Sequence, residues 1–424
     1  MLFIVIYQTL LIILAILLSP LILLAFIIQP KFRAGFWHKI GFYDFDKTQK
    51  NSKKTIIFHA VSVGEVNAIE ALVKKSREEF KDYNIILTTV TKTGQEVAIK
   101  KLTNFVDEIA YFPYDFCFSV RSFLNTYKPE KIVMAETEIW PCFVYLVNKT
   151  KTQIYIVNGR ISPSSYKGYK KFGFFFKNIL KRYTKILMQT KGDVQRIIDI
   201  GAPEETTKCM GNLKFDISKN LDPQSVENLK NELKTQNYKV LIAASTHKGE
   251  DEIILKSYID LKKNHPDLKL LIAPRHPQRY SAVEELIKNT KLPYGKRSMN
   301  SNFEGNDIIM LDTMGELGKL FSVCYMAFIG GSFSTTGGHN PLEANIWDKP
   351  AISGPTIFNF KDIYKSLTQA NAAFIVNNQD ELTVKLSQLL TDKEFYAQSC
   401  EAAAKIFREN SGAINFALNE IKNN

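Results

Sequence analysis

A chain of 424 residues exceeds what one typical core organises, and 45% apolar with 23% charged residues excludes a disordered or fibrous protein and predicts two globular domains. The formal charge of +12 comes from lysines and arginines spread along the chain, with no RNA-binding motif, which favours anionic substrates or an anionic membrane surface over nucleic acid. Cys117, Cys142, Cys209, Cys324 and Cys400 are scattered and form no CxxC, so neither a disulfide framework nor a zinc site is expected.

Residues 1–30 carry no charged side chain and are mostly Leu, Ile, Val and Phe, long enough to cross a bilayer as one retained anchor helix. Lys31, Arg33, His38 and Lys39 follow it, and the positive-inside rule then leaves the rest of the chain in the cytoplasm. Pro20 keeps open a kinked helix or one lying in the interface. After a polar spacer, in which Asp44 and Asp46 read as loop rather than metal ligands, strand and helix alternate. Strands are expected at 55–61, 84–89, 131–135, 153–157 and 185–189, with helices at 65–80, 94–103, 139–148 and 193–200. A polar stretch, 216–237, reads as a linker. The alternation restarts with strands at 239–244, 268–273, 307–311, 325–329, 350–353 and 373–376, helices between them, and a helical region 380–423. The fold class is therefore α/β, with two doubly wound Rossmann-like domains facing a cleft: 31–215, and 238–424 with the closing helices.

In such sheets ligands bind at the carboxyl ends of the strands. The first strand delivers HAVSVGE, in which Ser62 and Glu65 fit a capping box around Gly64, while Glu65 equally suits a general base if partial burial raises its pKa. ETEIWP places Glu136 and Glu138 after another strand, as helix-dipole complements or as site residues. NGRIS adds Arg160, which can grip a carboxylate or phosphate, or pair with an acid such as Glu136. In the second half, Ser245, Thr246 and His247 open one loop, Arg275, His276 and Pro277 a second, and Gly315, Glu316 and Leu317 a third. The stretch YMAFIGGSFSTTGGHNPLEA then gives a buried strand, a glycine-rich turn entered by His339, and a helix with Asn340, Pro341 and Glu343 at N-cap, N1 and N3. Converging amides and cations predict a nucleotide phosphate and ribose site, with Glu343 on hydroxyls or base rather than phosphate. G-x-G-x-x-G after a first strand, a Walker A lysine and Asp-rich metal motifs are all lacking.

Together HAVSVGE, ETEIWP, NGRIS, GNLKFD, STHKGEDE, APRHP and GGSF...GGHNPLEA make the chain resemble the 3-deoxy-D-manno-oct-2-ulosonic acid (Kdo) transferases of lipopolysaccharide synthesis, from the anchor to the last helices. The resemblance implies a GT-B glycosyltransferase at the cytoplasmic face of the bacterial inner membrane, moving Kdo from CMP-Kdo to the lipid A precursor with inversion and without a metal or other cofactor. It makes Glu65 the catalytic base and puts CMP on Arg275, His276, Pro277, Ser245, Thr246, Gly315, Glu316, Leu317, His339, Asn340 and Glu343. Ser62, Gly64, Glu136 and Arg160 would stand near the transferred sugar or the acceptor. The competing readings are a membrane-associated transferase using another nucleotide sugar, such as a UDP-sugar or CMP-sialic acid, and a non-catalytic binding protein on the same fold.

Overall fold

The computed structural model describes residues 2–29, 33–43, 53–216 and 221–423. Lys31, the Asp44 and Asp46 pair and part of the expected linker lie outside them. The chain divides into two compact units, Met1–Asp216 with Asn410–Asn424, and Ile217–Glu409.

Unit 1 contains strands β1 (Lys54–His59), β2 (Tyr83–Thr89), β3 (Glu108–Tyr111), β4 (Lys131–Ala135), β5 (Gln153–Gly159), β6 (Lys185–Met188) and β7 (Thr207–Cys209). They form one parallel sheet in the order β3-β2-β1-β4-β5-β6-β7. Ile56, Ile57 and Phe58 in β1 and Ile132 and Val133 in β4 are buried without a polar alternation, as expected of strands covered on both faces. The order reverses between β1 and β4, and the loop after each therefore opens at the crevice where doubly wound sheets take their ligands.

Unit 2 repeats the plan with β8 (Lys239–Thr246), β9 (Leu268–Pro274), β10 (Tyr294–Lys296), β11 (Ile308–Met310), β12 (Met326–Ile329), β13 (Ala351–Ser353) and β14 (Ala373–Ile375). Its parallel order is β10-β11-β9-β8-β12-β13-β14, with the switch between β8 and β12. The helix Pro223–Leu233, inside the stretch read as a linker, buries Leu229 and Leu233, and the Phe303 N–H bonds to the Leu233 carbonyl.

Two departures from the sequence reading have visible causes. The N-terminal apolar stretch is not one straight helix but the kinked alternative that Pro20 left open, α1 (Leu2–Leu17) and α2 (Ser19–Ile28), bent by 60°. Pro20 has no N–H to offer Ile16, and the Ser19 hydroxyl donates to the Ile16 carbonyl instead, at 2.7 Å. Among the described residues no single helix is long and apolar enough to cross a membrane, though the bent pair passes that test as a pair. The last helix, Ala413–Lys422, was expected with the second domain and packs on the first. Ala413, Ile414, Ala417, Leu418 and Ile421 make one apolar face that joins Ile56, Phe58 and Leu72, and Lys131 Nζ donates to the Ile421 carbonyl at 2.9 Å. Ile421→Ala is expected to cost about 2–4 kcal/mol, read as faster amide exchange in β1 and β4. Loosening confined to unit 2 would contradict this assignment.

Candidate functional site

In unit 1 the chain leaves β1 and enters the helix Val63–Glu79 through Ser62, its N-cap residue. The capping box is not made in its usual form. The Ser62 hydroxyl accepts no backbone N–H; it donates to Glu65 Oε1 at 3.0 Å, and Glu65 Oε2 accepts the Val61 N–H at 2.7 Å. Glu65 is only 8% exposed. Burial pushes its carboxyl up to about 7; the charges of Glu136 and Glu138 act in the same direction, and the bonds from Val61 and Ser62 oppose it. Burial also raises Glu138. A carboxyl poised near neutrality, with its hydrogen bonds arriving from one short turn, has the properties of a general base. Gly64 has open space around its Cα, where a side chain would meet only the Ser62 hydroxyl, at 3.8 Å.

The neighbouring strand ends support this corner. Glu136 stands at φ 56° and Asn158 at φ 57°, both in the left-handed region that non-glycine residues adopt at a cost. The Arg160 N–H donates to Thr137 Oγ1 at 2.8 Å and the Thr137 hydroxyl to the Arg160 carbonyl at 2.6 Å, so the two loops are stitched through Thr137 while the Arg160 side chain is exposed. His59 is excluded from proton chemistry: it is fully buried against Phe112 and Thr88, and burial drives its imidazole down to about 3.

In unit 2 the loops after β8 and β12 cross at the switch point and are joined by a residue the sequence reading did not single out. Glu250 is completely buried. Its Oε2 accepts the N–H groups of His247 (2.8 Å) and Gly331 (2.7 Å), and its Oε1 those of Ser332 (2.8 Å) and Phe333 (2.8 Å). The approach is so close that a Cβ on Gly330 would lie 2.4 Å from the Ser245 carbonyl oxygen. Ser245 itself is held at φ 55°. The signal in the sequence was the pairing of an acid at a helix start with a GGSF turn, whose amides have few side chains nearby to receive them. Thr246 proves internal: its hydroxyl donates to Asp251 at 2.5 Å, and Arg279, which pairs with Asp251, donates to the Thr246 carbonyl at 2.9 Å.

Two groupings of expected residues result. Ser245, Arg275, Gly315 and Leu317 line one pocket, together with Ala273, Pro274, Thr313, Met314 and Tyr280. His247, His276 and His339 form the other, with His247 Nε2 3.0 Å from His339 Nε2 and edge-on to His276 at 5.4 Å. In an N–H···N bond one ring donates and the other must be unprotonated. Burial, then the charge of Arg275 and the two other histidines, brings His339 down to about 4, and burial also lowers His247. Glu343 is raised by burial and held back by Arg275. Arg275, His276 and Pro277 are exposed at the end of β9. Glu316 turns away from the pocket, accepting from Thr313 at 2.7 Å and from Arg297 Nε at 3.1 Å.

The helix expected over 342–347 is a single turn, Leu342–Asn345. Asn340 Oδ1 accepts the Leu342 N–H at 3.1 Å, but one turn has little dipole to offer a phosphate, so charge complementarity in unit 2 rests on Arg275 and the histidines. Among the described residues no group of three or more His, Cys, Asp or Glu is arranged to hold a metal.

Residues 34–217 match the family model described as 3-deoxy-D-manno-octulosonic-acid transferase (kdotransferase). The 3-deoxy-D-manno-octulosonic acid transferase of Haemophilus influenzae is 33% identical over 93% of this chain and 92% of its own. The protein of the same name from Aquifex aeolicus is 33% identical over 81% of this chain and 88% of its own. A UDP-GlcNAc 2-epimerase from Neisseria meningitidis, solved with UDP-GlcNAc, has a TM-score of 0.54 at 12% identity, covering 88% of this chain and 100% of its own, a likeness of fold alone. Both units carry the GT-B type of Rossmann-like sheet. With that identity sustained over nearly the whole length, the chain belongs to the 3-deoxy-D-manno-octulosonic acid transferase family and is a glycosyltransferase.

Proposed function

We propose that the protein transfers Kdo from CMP-Kdo to a lipid A precursor in lipopolysaccharide synthesis, inverting the anomeric centre, at the cytoplasmic face of the inner membrane. The observation that carries this reading is the Glu65 carboxyl, buried and pushed up to about 7 by burial while the bonds from Val61 and Ser62 hold its orientation. Its carboxylate takes the proton of the acceptor sugar hydroxyl as that oxygen bonds to the anomeric carbon. The bond from that carbon to the CMP phosphate breaks, and its electron pair leaves with CMP. Positive charge building on the sugar ring is stabilised by nearby carboxylates, Glu136 among them. Arg275 and His276 meet the phosphate, and Ser245 with the Gly315 to Leu317 turn supplies the pocket wall. Glu343, half-buried and within the field of Arg275, suits ribose hydroxyls. A leaving phosphate held by a guanidinium, imidazoles and amides requires no metal ion.

Glu65→Gln keeps an acceptor for the Val61 N–H and removes the base. Its kcat is expected to fall roughly a hundredfold or more with the melting temperature little changed; near-normal turnover would reduce Glu65 to a helix-end residue. In the unaltered enzyme the base must be ionised, so kcat/KM is expected to rise with pH up to about 7 and level above it. The stability linkage has the opposite sign. A carboxyl raised from 4.5 to about 7 contributes fully below 4.5 and loses its contribution as pH climbs through 7.

Glu250→Gln turns an amide NH2 toward two backbone donors whichever way it is placed. The crossing of the β8 and β12 loops is expected to loosen, raising donor KM by roughly tenfold with a smaller change in kcat, the reverse of the Glu65→Gln pattern. An unchanged donor KM would separate Glu250 from the donor site. CMP is expected to raise the melting temperature of the protein more than UDP does at equal concentration; a larger shift with UDP would favour a different nucleotide sugar.

A further inference from the structure

The described residues 2–29 and 33–43 belong to unit 1 and are tied to the rest of it on either side of the apolar helix pair. At the start, Ile4 is buried, Phe3 packs edge-on to Tyr145 and Phe175, and Gln8 is clamped: its Nε2 donates to the Asp115 carbonyl at 2.7 Å and its Oε1 accepts the Cys117 N–H at 3.0 Å. At the far end, Phe26 of α2 packs edge-on to Phe36, Arg33 Nε donates to the Phe26 carbonyl at 2.7 Å, and the Tyr114 N–H donates to the Lys39 carbonyl at 2.7 Å. The start of α1 therefore meets Asp115 and Cys117 directly, and the end of α2 packs on the Phe36–Lys39 turn, which meets Tyr114. Between them, Ile4, Tyr7, Gln8, Leu11 and Ala15 form a stripe of reduced exposure along one side of α1, at helical spacing. The other side of α1 is bare, with Leu17 70% exposed, and α2 buries no residue, with Ile27 67% exposed.

A helix that spans a bilayer delivers its two ends to opposite water phases. Here the start of α1 and the turn that receives the end of α2 are fastened to neighbouring residues of one unit, Asp115 and Cys117 for the first and Tyr114 for the second. α1 also lies along that unit by its stripe, where a crossing helix would be surrounded by lipid. We infer that α1 and α2 form a monotopic platform, lying in the plane of one leaflet of an anionic phospholipid bilayer with the amino terminus on the same side as the folded units. The surroundings fit that occupant. Phe175 on the helix Gly173–Leu180 packs on Phe3 and Tyr7, and beside it Phe172 and Phe174 are 59% and 77% exposed. No acidic residue occurs between Glu138 and Asp193, while eleven lysines and arginines do. Lys167, Lys170, Lys171 and Lys177 are exposed around those phenylalanines. Asp199 stands behind Lys170 through the Tyr166 hydroxyl, and among the described residues the other three lysines have no acidic partner. Apolar side chains interleaved with exposed lysines are what an anionic interface accepts.

This inference rests on the membrane association in the proposed function and is independent of the donor's identity. The test uses the full chain with a protease-cleavable tag at each end, in inner-membrane vesicles of both orientations. Cleavage of both tags from the same face is expected; protection of the amino-terminal tag where the carboxy-terminal one is cut overturns the platform and leaves the transfer reaction standing. Purified protein is then sedimented with vesicles containing phosphatidylglycerol. Lys167→Glu, Lys170→Glu and Lys171→Glu together are expected to lower the bound fraction tenfold or more at low salt, with Kdo transfer to detergent-solubilised acceptor kept. Binding unaffected by these changes and by salt overturns the anionic-leaflet assignment. No vesicle binding by the unaltered protein overturns the platform and the membrane reading together, which the detergent assay of transfer distinguishes from loss of the enzyme activity itself.

Discussion

The candidate donor site depends on one buried carboxylate. Two loops that leave neighbouring parallel strands would expose a row of amide N–H groups to each other, and donors facing donors do not pack. Glu250 supplies the acceptors. With four N–H groups on two oxygens, it fixes the β8 loop against the β12 turn, and it does so where the sheet order reverses. The missing side chain of Gly330 and the left-handed Ser245 follow from the same crossing. So does the contact of His247 with His339, each carried by one of the two joined loops.

The reading of the sequence succeeded where strands are central. KIVMA and the apolar run of β8 are buried on both faces and show as continuous hydrophobic stretches. Three strands escaped it, Glu108–Tyr111, Thr207–Cys209 and Tyr294–Lys296, and each is an edge of its sheet. Edge strands are short and polar because they face water along one side, so periodicity has little to report. The N-terminal stretch was legible in part: Pro20 signalled the break, but hydrophobicity measures only what can enter lipid and carries no trace of the clamp on Gln8. Likewise Asn340 and Pro341 carry the signature of a helix start, yet that helix ends after one turn, because chain-start chemistry says nothing of length.

Among the candidate site residues, placement in the loops that follow strands was legible, and the buried partners that hold those loops were not. Glu65, Arg275 and His339 stand at strand ends, a position the α/β pattern identifies in advance. Glu250, Asp251 and Arg279 act through buried bonds to partners 81 residues or 28 residues away, which no local pattern encodes. Glu316 was legible as a residue of the right loop, but its partner Arg297 is 19 residues away, and the ion pair turns the side chain from the pocket.

The two candidate sites use burial for opposite ends. Around Glu65 it raises a carboxyl toward neutrality, so that a group ordinarily ionised and weakly basic gains proton affinity while retaining its negative form above pH 7. Around His339 it lowers an imidazole, leaving the ring neutral beside the fixed charge of Arg275. A neutral imidazole can donate a hydrogen bond to phosphate without adding a second full charge, and an arriving phosphate would favour its protonation. An imidazole so placed gains proton affinity when an anion approaches and loses it when the anion leaves. Acid and base behaviour at the same pH thus follow from which form burial penalises: the anion for a carboxyl and the cation for a histidine.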